Sequence, residues 1–160
     1  MSHIALKMFD NAIKYSSIIK NNQTCESILL SGNRSLGELS RDIHFHCHDS
    51  CKETIDMRII NNAIELINHS SNFAFKYGCD QEVRDMLVMN PVFVFNMGII
   101  DLALECTINQ GILSEAYRLN HHSDVVNAII GLIVSSVRII EASTLFTKDL
   151  FSIQMDKLEG

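Results

Sequence analysis

The stretch DVVNAIIGLIVSSVRIIEASTLF, Asp124 to Phe146, leaves this chain few folds to choose from. From Ala128 to Val137 every residue is apolar or small, so a helix here has no side to keep in water. Such a helix belongs in the centre of a bundle or in a membrane. Asn127, Arg138 and Glu141 bracket the run and leave ten uncharged residues between Ala128 and Val137, where a membrane span needs about 20. The spacing therefore predicts the central helix of a soluble helical domain. Ser123 suits the N-cap and Asp124 the positive helix start, which leaves His121 and His122 outside.

A chain of 160 residues is one domain by length and buries a core without staples. Apolar residues make up 47% of it, and a single proline argues against a disordered or loop-rich chain. The formal charge is −6, and the thirteen lysines and arginines are scattered singly. A duplex-binding surface needs a basic stripe, so nucleic acid and anionic membrane are disfavoured, whereas a basic protein partner is permitted. Met1 to Lys20 lacks the basic flank, apolar run and cleavage site of a secretory signal. Five cysteines without a framework spacing suggest free thiols in a reducing compartment, and hence the cytoplasm.

Along the chain the apolar spacing is helical throughout. Ile4, Ala5, Met8, Phe9, Ala12, Ile13 and Ile19 share one face, and Asn21 to Gln23 end that helix. A second helix starts near Thr24 and breaks at Ser31, Gly32 and Asn33; a third runs from Ser35 to Ile43. Ile55, Ile59, Ile60, Ala63, Ile64 and Ile67 form the next stripe, which the polar run Asn68 to Asn72 loosens or ends, and Gly78 is a natural C-terminal cap. Asp80 to Met89 reads as a short helix with an acidic start. Asn90–Pro91 opens a longer one over Val92 to Ile108, preferred to a strand because it runs on without a turn signal. Gly111 closes it, a short helix holds Leu113, Ala116 and Tyr117, and the tail from Thr147 lies across the bundle. The expectation is one all-α domain, residues 1–160, a bundle of about six to eight helices around the apolar helix 124–146.

Catalytic and metal signals are sparse. His44, His46, Cys47, His48 and Cys51 place five potential zinc ligands within eight residues. Structural zinc sites join ligand pairs from separate elements, however, and the order here matches no finger, ribbon or metalloprotease helix. The segment is read as polar surface, and no metal or other cofactor is assigned. No G-x-S-x-G elbow is present. At Cys25 a helix start favours the thiolate while Glu26 opposes it, and Cys106 reads as a small core residue. Asp101 and Glu105, four apart, could hold a divalent ion but read as a solvated edge; Arg138 and Glu141 read as an ion pair. Arg41 and His44 stand too close together for the helical ribonucleases that use an Arg and a His further apart.

Between Ile28 and Phe75 the chain resembles the mannitol operon repressor family of small helical regulators. Leu29–Leu30, the stretch Ser35-Leu36-Gly37-Glu38-Leu39-Ser40 with Ile43, Glu65 to His69 and Phe73–Ala74 carry the likeness, over less than a third of the chain. Phe75 departs from it, standing where some members have histidine, and the polar insert His44–Cys51 replaces a hydrophobic helix. The resemblance implies a helical fold that works by binding proteins, and it transfers no functional residue.

Acidic, single-domain and without a catalytic motif, the chain looks like a bacterial immunity protein or antitoxin, which blocks a basic toxin nuclease by covering its cleft. The acids expected to make that contact are Glu38, Asp42, Asp80, Glu82 and Asp85. Other classes open to such a sequence are a partner-binding transcriptional regulator, a secretion chaperone and a zinc-binding helical protein. The two-sided apolar segment Val92–Ile108 could pack within one chain or across a homodimer.

Overall fold

The computed structural model describes residues 2–19, 22–48, 52–89 and 97–144, with the side chains of 4–19, 22–45, 57–89 and 97–143. Within them lie six helices: α1 (Ser2–Ile18), α2 (Cys25–His48), α3 (Lys52–Tyr77), α4 (Asp80–Met89), α5 (Ile99–Leu119) and α6 (His122–Thr144). The described residues contain no strand. α3 and α6 pack on each other at the centre, α2 lies along α3 and α5 along α6, and α1 and α4 close the other side against both central helices.

α6 is buried around most of its circumference: Val125, Val126, Ala128, Ile129, Ile130, Leu132, Ile133, Val137, Ile139 and Ile140 are all inside. Its more open positions, Asn127, Gly131, Val134, Arg138 and Glu141, recur at helical spacing along one narrow face. By length and composition alone His122–Ser143 is apolar enough to cross a membrane, but 67% of its most apolar 18-residue window is buried within this chain. Burying an isoleucine or leucine stabilises by about 1.5–3 kcal/mol, so this helix is a main source of the fold's cohesion. It also begins earlier than its sequence suggests. The His121 carbonyl accepts from the Val125 N–H, so His121 caps the helix while His122 and Ser123 lie inside it.

Three expected breaks do not occur. α2 runs straight through Ser31, Gly32 and Asn33. Gly32 is there for close approach: a Cβ on it would stand 3.0 Å from Nε2 of Gln110, the nitrogen that donates to the Leu29 carbonyl at 3.2 Å and ties α5 to α2. α3 continues through Asn68–Asn72 because Ser70 and Ser71, both buried, return their hydroxyls to the carbonyls of Leu66 and Ile67. α5 passes Gly111 and stops at Asn120, whose left-handed φ of 60° lets the His121 N–H reach the Ala116 carbonyl.

Other signals hold. Thr24 and Ser27 form a reciprocal cap, the Ser27 N–H donating to Thr24 Oγ1 at 3.1 Å and the Thr24 N–H to Ser27 Oγ at 3.0 Å. Gly78, at φ 89°, ends α3, with the Cys79 N–H on the Ala74 carbonyl. α4 spans Asp80–Met89 as its periodicity indicates. The helix expected over Val92 to Ile108 is not continuous, since Met97 and Gly98 precede α5, which starts at Ile99; residues 90–96, with the expected start at Asn90–Pro91, and the tail from 145 lie outside the described residues.

Candidate interaction surface

The five acids expected to meet a partner do not share a surface. Asp42 is not on the surface at all. It is 6% exposed, on the α2 face that packs against α3. A buried carboxylate is costly unless hydrogen-bonded, and this one accepts from Asn62 Nδ2 at 3.0 Å with Arg58 Nε 3.6 Å away. It is therefore a structural residue. Glu38 is exposed on α2, which does not touch α4. Asp80, Glu82 and Asp85 all lie on α4, though Asp80 and Glu82, two apart, do not face the same way; there Gln81 donates to Asp85 at 2.9 Å and His122 Nε2 lies 2.7 Å from Glu82 Oε2. Next to them Arg84 bridges to Asp10 on α1 at 3.1 Å.

Around that point several helix ends meet: the starts of α2, α4 and α6 and the ends of α3 and α5. Tyr77 stacks on His122 at 5.8 Å and meets Tyr117 edge-on at 6.0 Å, and Phe73 packs against both tyrosines. The Tyr117 hydroxyl donates to Glu26 at 2.7 Å. That bond lowers the Glu26 carboxyl and pushes the phenol up to about 12. Burial, aided by Glu26, raises the half-buried Cys25 thiol. Burial pushes Cys79 and Cys106 up to about 12 as well. Cys106 lies in the core with its sulfur 3.8 Å from the Ser136 hydroxyl. All three are thiols at neutral pH and poor nucleophiles. Of the histidine- and cysteine-rich stretch, His44 and Phe45 are exposed, and the side chains of 46–51 lie outside the described residues. Among the described residues no three His, Cys, Asp or Glu side chains are placed to share a metal ion.

α5 carries the feature the sequence reading missed. Its inner face, Leu102, Ala103, Cys106, Leu113 and Ala116, is buried. Its outer face is also aliphatic: Ile100, Leu104, Ile108 and Ile112 are 59%, 56%, 46% and 44% exposed, with Leu119 beyond them. Among the described residues, five of the thirteen exposed large hydrophobic side chains lie on this one helix face, so they form a stripe rather than the scattered exposures of an ordinary surface. Gly111 sits within it, three residues after Ile108 and seven after Leu104, with nothing within 4 Å of where its Cβ would be. Asp101, Glu105 and Glu115 edge the stripe, and the one cation on α5, Arg118, is bonded to Glu115. The two-sidedness was visible in the sequence, as was the glycine, but the glycine read as a stop.

Between α4, α5 and α6 lies a half-open groove of about 440 Å³, lined mainly by Met86, Met97, Leu102, Ile130 and Val134, with Glu105 at its α5 edge and Arg138 on α6. Asp101 is exposed, so the Asp101–Glu105 pair divides between the outer face and this groove. Burial raises the Glu141 carboxyl while Arg138 pulls it down, the sense expected of neighbouring opposite charges in a half-buried place. Compared with known proteins, the chain matches no family model, no curated protein and no solved structure. The likeness to the mannitol operon repressor family thus rests on the residues quoted for it alone.

Proposed function

We propose that this chain is a non-catalytic, cytoplasmic protein-binding domain, and that the outer face of α5 is where it binds. The observation that carries this reading is the stripe Ile100, Leu104, Ile108 and Ile112, aliphatic and open to solvent on a helix whose other face already serves the core. Apolar side chains aligned on one exposed face gain most when a partner covers them. With a net charge of −6 and acids along the edges of the stripe, the fitting partner is basic. The α4 acids Asp80, Glu82 and Asp85, with Glu38 on α2, add to a field that speeds and orients its approach.

A basic toxin nuclease is the partner we put forward, with the chain as its bacterial immunity protein or antitoxin, acting by covering the cleft.

The test is capture from the native host at moderate salt, using the tagged full chain beside a Leu104→Asp/Ile108→Asp variant. A single stoichiometric, folded, basic protein that the variant loses, and whose nuclease activity the wild type suppresses, is the expected result. A partner held equally by the variant moves the site off α5. An unfolded effector segment makes the chain a chaperone, and an empty capture by the wild type overturns the protein-binding reading.

A further inference from the structure

A glycine inside a helix destabilises it by up to about 1 kcal/mol relative to alanine. Gly32 and Gly131 each have an internal reason to be glycine: a Cβ on Gly32 would crowd Gln110, and one on Gly131 would lie 2.4 Å from Asn109 Oδ1. Gly111 has none. It is in mid-helix, its φ is not left-handed, and among the described residues nothing lies over it. What it does is open a notch in the aliphatic stripe, level with Leu104 and Ile108.

The stripe has a geometry of its own. Ile100, Leu104, Ile108 and Ile112 follow one another at intervals of four, which is a single i±4 ridge. Such a ridge seats between the corresponding ridges of a second helix, crossing at about −50°, and the two axes approach most closely where the side chains are smallest. Gly111 marks that point. An extended strand would instead require an unpaired sheet edge, and the described residues of this chain offer none.

We infer that the docking element of the partner is an amphipathic helix with basic flanks, seated across α5 with its closest approach at Gly111. This rests on the protein-binding reading above and specifies it. Charge selects the occupant: Asp101 and Glu115 stand on this face with Glu105 at its border with the neighbouring groove, and the one arginine of α5 is already bonded to Glu115. A second copy of this chain would bring the same carboxylates into the contact. Lysines or arginines flanking the apolar ridge of a partner helix would instead meet them with opposite sign.

The experiment uses a fluorescein-labelled peptide of about five helical turns, with leucines every fourth residue, alanine at its centre and lysine elsewhere. A second peptide replaces lysine by glutamate. Each is titrated by anisotropy with the full chain at physiological salt, against wild type, Gly111→Ala and Leu104→Asp/Ile108→Asp. The lysine peptide is expected to bind one to one and gain helix by circular dichroism, and the glutamate peptide to bind at least tenfold more weakly (about tenfold per 1.4 kcal/mol). The added methyl of Gly111→Ala should weaken the lysine peptide by about tenfold, while that variant melts no lower than wild type. Loss of binding with intact or improved stability is a result that a merely structural glycine does not give. Equal affinity for wild type and Gly111→Ala overturns the crossing point, and equal affinity for the two peptides overturns the basic flanks. If neither peptide binds although Leu104→Asp/Ile108→Asp still abolishes capture of the native partner, the helix inference fails and the protein-binding reading stands. If that capture is also unaffected, both fail.

Discussion

α5 and α6 lie side by side, and both carry more aliphatic residues than one helix face can hold. In α6 the surplus is consumed: residues from Val125 to Ile140 are buried on nearly every side, and only the narrow strip from Asn127 to Glu141 stays partly open. In α5 it is not. Leu102, Cys106 and Leu113 complete the core, while Ile100, Leu104, Ile108 and Ile112 face outward. Glycine sharpens the contrast, since Gly131 on α6 admits the side chain of Asn109, whereas no side chain among the described residues reaches Gly111 on α5. The apolar surplus of α6 is taken up by folding; among the described residues that of α5 is not, and the proposed partner is what would cover it.

The contrast breaks first if the α6 core tolerates truncation. Leu132, fully buried, should lose about 2–5 kcal/mol on replacement by alanine, measured by urea unfolding; a loss under about 1 kcal/mol would remove α6 from the centre of the fold. Next comes Asp42. Asp42→Ala leaves the buried Asn62 amide without its acceptor and should cost about 1–3 kcal/mol, whereas Glu38→Ala on the exposed side of the same helix should stay within about 0.5 kcal/mol. Equal effects at the two acids would contradict their different placement.

The two glycines should then respond with opposite sign. Gly131→Ala drives its methyl into Asn109 and should destabilise by about 1–3 kcal/mol, relieved in part by Asn109→Ala in a double-mutant cycle. Gly111→Ala meets nothing and should stabilise by up to about 1 kcal/mol. The smallest effect concerns pH. Burial holds the His69 imidazole below its ordinary pKa, and Glu65 works in the other direction. As pH falls below about 6.5 the unfolded chain takes up that proton before the folded chain does. Stability should therefore decline as pH falls from about 6.5 toward the lower folded pKa, and His69 should add no pH dependence above about 6.5. Urea midpoints at several pH values should show a shallower decline in His69→Gln, and identical pH profiles would refute the assignment.

How far the sequence could be read depends on where local propensity and tertiary packing agree. They agree at Thr24, Gly78 and the whole of α4, and in the apolar run of α6, all of which are legible from residue type and spacing. They disagree at Gly32, Ser70–Ser71 and Gly111, where residues that favour turns in isolation are carried inside helices by packing, by hydroxyl bonds to the preceding turn, or by an open face. The misplacement of Asp42 follows from the first of these. Ile28, Gly32, Ser35, Leu36, Leu39, Asp42 and Ile43 form one continuous buried helical face, but a break drawn at Gly32 cuts that register, and an aspartate standing alone then passes for a surface acid. On α5 the two-sided apolar character was legible, but a stop drawn at Gly111 left Ile112 and Leu119 off the stripe.

The most direct measurement is urea unfolding of the Leu104→Asp/Ile108→Asp variant beside wild type. If the outer face of α5 is surplus to the fold, two new charges there meet only water, and the expected unfolding free energy lies within about 0.5 kcal/mol per substitution of the wild-type value. A loss of several kcal/mol, of the order that Leu132→Ala should produce, would mean that this face belongs to the chain's own core and is not a surface kept for a partner.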